Sequence, residues 1–363
     1  MRRSIIVIPL FAACGLWMHL SACVGDDTGA SPKDASSGVD GSLADAGGDA
    51  PAPTVTVIAR FDMSKGQLPE GLWEVSPDAL EFAGTTGTPI TAWAPAAAPV
   101  TIGADGGIAS FGGLAPGAPQ STYTLGVITD ATGIVYYAVA AAAMPPNDPA
   151  PGIYRFPKGG GATATVFSLG SNANPPMNFA NGLDFIGSDL YVADSEGVIY
   201  KIDPGGVATV WSQDPLLAPS MSACGGRVPL PIGANGIVHD ANNIYVTNTD
   251  YGRLLKIPVD ANGSAGAPTV LKEDCATLVG ADGLLIDPKD GSFIVALNVL
   301  DEIVRVAPDG SSVTVLASGS PLANPASPLL DTAGGQRRLL VTSPAFFTSP
   351  DAGSPNLAQL PMP

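Results

Sequence analysis

The chain has 363 residues, of which 45% are hydrophobic and only 13% charged, with 44 Gly and 35 Pro. A formal net charge of −17 argues against a nucleic-acid surface, whose phosphates demand basic groups, and is compatible with binding a cation. Of the two histidines one, His19, falls in the leader described next, so a multi-histidine zinc site is excluded, and no phosphate-binding Gly-x-x-x-x-Gly-Lys loop is present.

The first segment is positive at Arg2 and Arg3, apolar from Ile5 to Leu20, and closes on Ser21 and Ala22, the anatomy of a signal peptide over 1–22. Gly15 and His19 interrupt the apolar run, which falls short of the ~20 residues that a spanning helix needs. Leu20-Ser21-Ala22-Cys23 resembles the lipobox of bacterial lipoproteins. That resemblance implies an acylated Cys23 and a chain held on a membrane by its lipid, periplasmic or surface-facing. A second box at Leu10–Cys14 would leave too short an apolar core, and simple secretion with cleavage nearby is the alternative. Residues 23–53 continue as VGDDTGASPKDASSGVDGSLADAGGDAPAP after the cysteine and contain no aromatic group. Such a stretch cannot bury enough apolar surface to offset its conformational entropy, and a disordered acidic linker is expected.

Residues 54–363 contain nothing resembling an inter-domain linker, and a composition rich in Gly and Pro suits short strands joined by tight turns. Self-similar units recur there. Asn181-Gly182-Leu183, Asn235-Gly236-Ile237 and Asp282-Gly283-Leu284 are followed by DLYVADS, NIYVTNT and SFIVALN, then by VIYKIDPGG, RLLKIPVDANG and EIVRVAPDG. Runs such as VATVW (207–211) and VTVLA (313–317) complete each unit. Weaker copies start at Glu70-Gly71, at Leu125-Gly126 and near Gly335, so that units begin at 70, 125, 181, 235, 282 and about 335. A four-stranded unit at this period predicts an all-β fold, a six-bladed β-propeller of four-stranded antiparallel blades.

With Cys14 in the leader and Cys23 in the lipobox, Cys224 and Cys275 remain, most simply as one disulfide in an oxidising compartment. His239 falls near the end of a predicted inner strand, opposite the Asn-Gly end, and reads as structural. Strand direction alternates within a blade, so the Asn-Gly and Asp-Gly ends of several blades converge on one mouth of the central channel. Asp194, Asn248 and Asn298 end the returning strands and are expected as a second ring at the same face. Oxygen-only donors suit a hard divalent cation, Ca²⁺ first, with Mg²⁺ or Mn²⁺ as alternatives. Equally, Asn-Gly and Asp-Gly are common turn dipeptides.

Glu70-Gly71 within LPEGL, Asn181-Gly182 within FANGL, Asn235-Gly236 within GANGI and Asp282-Gly283 within GADGL resemble the senescence marker protein, gluconolactonase and luciferin-regenerating enzyme family, over roughly Phe61 to Ala317. The resemblance implies a six-bladed propeller with a divalent metal at the channel mouth. Glu70, Asn235 and Asp282 would be its ligands, and Asn181 a further ligand or substrate contact. It also implies a hydrolase of a lactone or small ester, with Asp282 doubling as catalytic general base. A non-catalytic, calcium-stabilised propeller that binds a protein or polysaccharide is the second reading. A monomer is expected in either case.

Overall fold

Runs rich in valine, isoleucine and tyrosine, separated by turns such as Ile186-Gly187-Ser188-Asp189, force the chain back on itself at short intervals. Gly187 has φ 64°, a left-handed conformation that glycine adopts without strain. In the computed structural model the described residues are 54–362 without 63–66, 75–88, 95–98, 104, 111–121, 142–149, 158, 160, 333–335 and 347–353. Cys23, the leader 1–22 and residues 24–53 lie outside them. The described residues form six four-stranded antiparallel sheets, the blades of a β-propeller. Among these residues no helix is long and apolar enough to cross a membrane.

The innermost strands are Leu68–Glu74, Thr122–Thr129, Ala180–Ile186, Ala234–His239, Ala281–Ile286 and Pro328–Asp331, for the first to the sixth blade in that order. In the third blade the order is Ala180–Ile186, Asp189–Asp194, Val198–Ile202, Ala208–Ser212, with Leu183 opposite Val192 and Val192 opposite Tyr200. Alternate residues of such strands face the neighbouring blade, and the core sits between blades. Leu183, Leu190, Val192 and Tyr200 pack on Tyr136, Ala138 and Ile153 of the second blade. Ile237, Ile244, Val246 and Leu255 of the fourth pack in turn on Tyr191, Ala193 and Ile199.

Two devices bring the inner strands together at the channel mouth. Pairing of inner and second strand shifts register between Pro69 and Leu72, Thr124 and Val127, Ala180 and Leu183, Ala234 and Ile237, and Ala281 and Leu284. Each bulge spans one residue-Gly pair and bends the strand there, re-aiming the residue before the glycine. Each glycine then abuts the backbone of the next blade. A Cβ on Gly126 would lie 2.1 Å from Asn181 O, and one on Gly236 would lie 2.5 Å from Asp282 O. The same relation joins Gly71 to Leu125, Gly182 to Asn235 and Gly283 to Ala326. The dipeptides are therefore interblade contacts inside strands, and the turn reading does not apply. Thr247 Oγ1 adds a clasp, accepting from Gly236 N at 2.8 Å and donating to Asp282 O at 2.6 Å. Thr342 Oγ1 repeats it between Ser327 N and Glu70 O.

The last blade departs from the expected start near Gly335. Its inner strand is Pro328–Asp331, and the RRLLVTS run supplies the second strand, Arg338–Ser343. The fourth strand comes from the other end of the chain: Thr56–Arg60 pairs with Asn356–Pro361, Thr56 opposite Gln359. A four-residue inner strand without a glycine dipeptide carries too little pattern to be placed from sequence.

Gly236→Ala places a methyl group against the Asp282 carbonyl. It is expected to lower the free energy of unfolding by about 1–3 kcal/mol, as overpacking does, read from urea or thermal unfolding of the purified variant.

Candidate metal centre

The interblade contacts define six equivalent positions around the mouth, each immediately before the abutting residue of its strand: Glu70, Leu125, Asn181, Asn235, Asp282 and Ala326. Four carry oxygen-bearing side chains, and all four are buried. With Asn298 they form the polar part of the lining of a cavity of about 80 Å³. Tyr123, Leu125, Phe179, Leu230, Ile232 and Phe346 form the rest.

A second residue stands behind three of the four, one position beyond the end of the returning strand. Asn181 Nδ2 donates to Ser195 Oγ at 3.3 Å, Asn235 Nδ2 to Thr249 Oγ1 at 3.0 Å, and Asn298 Nδ2 to Asp282 Oδ2 at 2.9 Å. Thr249 is itself fixed by donating to Ala281 O at 2.7 Å. With the amide nitrogens of Asn181 and Asn235 so engaged, their oxygens are the groups left for a ligand. Asn298 Oδ1 is buried without a hydrogen-bond partner.

The expected second ring of Asp194, Asn248 and Asn298 is not what forms. Asp194 and Asn248 pair with Ala180 and Ala234, one residue before the mouth positions, whereas Leu297 takes that place in the fifth blade and Asn298 lies beyond it. Asp194 accepts from Phe179 N and Glu196 N, both at 2.9 Å, and burial pushes its carboxyl up to about 7. Asn248 Nδ2 donates to Leu216 O and Ala218 O, each at 3.0 Å. Only Asn298 lines the cavity. Ser195 and Thr249 were its counterparts, legible in the aligned run ends Ser195, Thr249 and Asn298 of DLYVADS, NIYVTNT and SFIVALN.

The donor set fits a hard cation. Burial raises the Glu70 carboxyl well above its ordinary value, and the charge of Asp282 raises it further. Burial also pushes Asp282 up to about 7, against hydrogen bonds from Asn298 and Asn235. Among the described residues neither carboxylate has a salt-bridge partner. Two facing carboxylates out of water, beside an unpartnered amide oxygen, are stabilised by a positive charge between them. Among the described residues no group of three or more His, Cys, Asp or Glu is placed to hold a metal, so amide oxygens would complete the set.

His239 is remote from this cavity, at the far end of its inner strand, with Nδ1 2.7 Å from Asp184 Oδ2. The hydrogen bond raises the His239 pKa and offsets part of the burial that raises Asp184. Its part is to tie the third blade to the fourth.

One wall of the cavity is a braced segment, 213–233, between the third and fourth blades. Cys224 is disulfide-bonded to Cys275, 51 residues away. Asp250 Oδ2 accepts from Ser220 N at 2.7 Å and Ile232 N at 3.1 Å, while Oδ1 is buried without a partner. Val228 and Ile232 pack on Val279.

Residues 232–345 match the family described as SMP-30/Gluconolactonase/LRE-like region. No curated protein matches the sequence significantly. Among solved structures, a calcium-binding protein, regucalcin, from Agrobacterium tumefaciens superposes with TM-score 0.57 at 18% identity, over 82% of this chain and 92% of that one. A gluconolactonase of Xanthomonas campestris gives 0.54 at 15%, over 87% and 96%. A PQQ-bound aldose sugar dehydrogenase from Streptomyces coelicolor gives 0.56 at 16%, over 86% and 99%. At these identities the likeness is one of fold, and a dehydrogenase among the neighbours shows that this fold hosts more than one chemistry.

Two outcomes follow for the braced wall. Replacing Cys224 and Cys275 together by serine is expected to cost about 4 kcal/mol of unfolding free energy in the chain-entropy account of a loop of this length, read by chemical denaturation with and without reductant. Burial pushes Asp250 to about 6 from an ordinary 3.8, so the folded state holds a proton there that the unfolded chain has lost. Stability from this group therefore falls as pH rises from about 4 to about 6. Asp250→Asn keeps an oxygen for both amide donors, and the slope of melting temperature against pH in that window should become flatter.

Proposed function

We propose that this propeller is a divalent-cation-dependent hydrolase of a lactone or small ester, working outside the cytoplasm on a lipid anchor at Cys23. The observation that carries the reading is the convergence of Glu70, Asn181, Asn235 and Asp282 from four blades, with Asn298, on the floor of one open cavity. The family match over 232–345, which includes Asn235, Asp282 and Asn298, supports it. Glu70, Asn235 and Asp282 would hold the cation, with Asn181 as a further ligand or a contact to substrate. Ca²⁺ suits an all-oxygen set of carboxylate and amide donors, and the calcium-binding regucalcin shares the fold.

Bound there, a divalent cation supplies Lewis-acid polarisation of a carbonyl and stabilises the negative charge that develops on its oxygen. Asp282 accepts the proton of the attacking water. The water oxygen bonds to the carbonyl carbon, the acyl carbon–oxygen bond breaks, and the departing oxygen takes up a proton, giving a hydroxy acid from a lactone. Asn298 holds Asp282 Oδ2 in one orientation through its 2.9 Å hydrogen bond. Burial of both carboxylates keeps competing water away, and the apolar walls place the substrate over the polar floor.

Calorimetric Ca²⁺ titration and lactone hydrolysis on the purified protein, before and after chelation, test the proposal. Turnover should vanish on chelation and return with the cation. Asp282→Ala should lose on the order of 10²–10⁴-fold in kcat/KM, the range of a general base, and Asn298→Ala about 10–100-fold in cation affinity, as for residues that orient a ligand. Bound Ca²⁺ with no turnover on varied lactones and esters would establish the non-catalytic, binding propeller instead. An absence of cation binding would remove the site.

A further inference from the structure

We infer that the site selects lactones or esters whose substituent is apolar, alkyl or aryl, over polyhydroxylated sugar lactones, and that Leu230 on the braced segment 213–233 is a specificity-determining residue. The inference rests on the hydrolase reading above and deepens it.

The lining divides sharply. Among the described residues its side-chain oxygens belong to the floor, save one: Tyr123 carries a hydroxyl in the walls, and Leu125, Phe179, Leu230, Ile232 and Phe346 are hydrocarbon. A sugar lactone bears a hydroxyl on nearly every carbon, and each one that enters such a cavity without a partner loses its hydrogen bonds to water. The floor serves few of them, because the amide nitrogens of Asn181, Asn235 and Asn298 are turned on Ser195, Thr249 and Asp282, and its free oxygens are those that would hold the cation. An alkyl or aryl group meets the opposite situation and gains by leaving water.

Leu230 is the member of this wall that the fold has least reason to present. It is 47% exposed, whereas Ile232 and Leu125 are 8% and 6% exposed. A disordered loop could carry such a residue by accident. This segment is instead fixed by the Cys224–Cys275 bond, by both Asp250 hydrogen bonds and by Asn248 on Leu216 O and Ala218 O. Tyr123, 37% exposed, stands in the same rim on the second blade. A rigid support that holds aliphatic and aromatic groups over a polar floor lowers the ordering cost of binding an apolar substituent.

The test measures kcat/KM for γ-lactones bearing methyl through hexyl side chains, and for glucono-lactone, with the cation present. Wild type should gain about fourfold per added methylene, the factor that burial of one CH₂ supplies, and should favour the butyl lactone over glucono-lactone. Leu230→Ser should flatten the rise with chain length, and Leu230→Met should retain it. A flat series in wild type, a rise unaltered in Leu230→Ser, or preference for glucono-lactone would overturn the inference while leaving the hydrolase intact. If no member is hydrolysed, the hydrolase reading fails. Binding of the same series by calorimetry then decides the apolar preference, supported by affinity that grows with chain length and overturned by affinity that does not.

Discussion

The close approach of inner strands at one mouth of the channel is the constraint on which the rest depends. Strands that carry side chains at every position cannot bring their backbones this near, and glycine at 71, 126, 182, 236 and 283 removes the obstacle. The bulge at each pair then turns the preceding residue out of the sheet's pleat. Glu70, Asn181, Asn235 and Asp282 thus owe their convergence to their glycine neighbours. The cohesion of the ring and the geometry of the site come from the same dipeptides, so the site stands on rigid strands rather than on loops.

The six mouth positions are chemically unequal. Leu125 and Ala326 interrupt the polar set, which leaves an arc of donors from the third to the fifth blade with Glu70 across from it. Glu70 and Asp282 have no countercharge of the chain's own among the described residues; burial raises both carboxyls, and the charge of Asp282 raises Glu70 further. Such a pair is expensive to keep for structural reasons alone. The hydrocarbon walls deepen the cost, since they deny the carboxylates the water that would otherwise solvate them.

Much of this was legible in the sequence because the repeat carries its own register. The aligned Glu-Gly, Asn-Gly and Asp-Gly pairs located four of the blades' inner strands and the residues that meet at the mouth. What failed did so by one residue or by lack of pattern. An offset of 13 from Asn181 to Asp194 and of 16 from Asp282 to Asn298 looks like loop variation, whereas the ends of the aligned runs, and the strand pairing, make Ser195 and Thr249 answer to Asn298. The inner strand of the last blade escaped because Ala326-Ser327 lacks the dipeptide and the strand is four residues long. Leu230 reaches the cavity from the connection between the third and fourth blades, and Phe346 from just beyond Arg338–Ser343 within the sixth, where no periodicity exists to flag them.

The sixth blade is assembled from both ends of the chain, with Thr56–Arg60 laid beside Asn356–Pro361. Its outer strand is among the first segments of the propeller to be synthesised, and the strand it needs is among the last. This pairing is as non-local as the domain permits, and the entropy of closing so large a loop is met only when nearly all other contacts are available. A nascent or translocating chain can therefore build blades in succession yet leave the ring open until its final strand emerges. Under the proposed export, the late arrival of Asn356–Pro361 would act as a timer that delays closure until passage is complete.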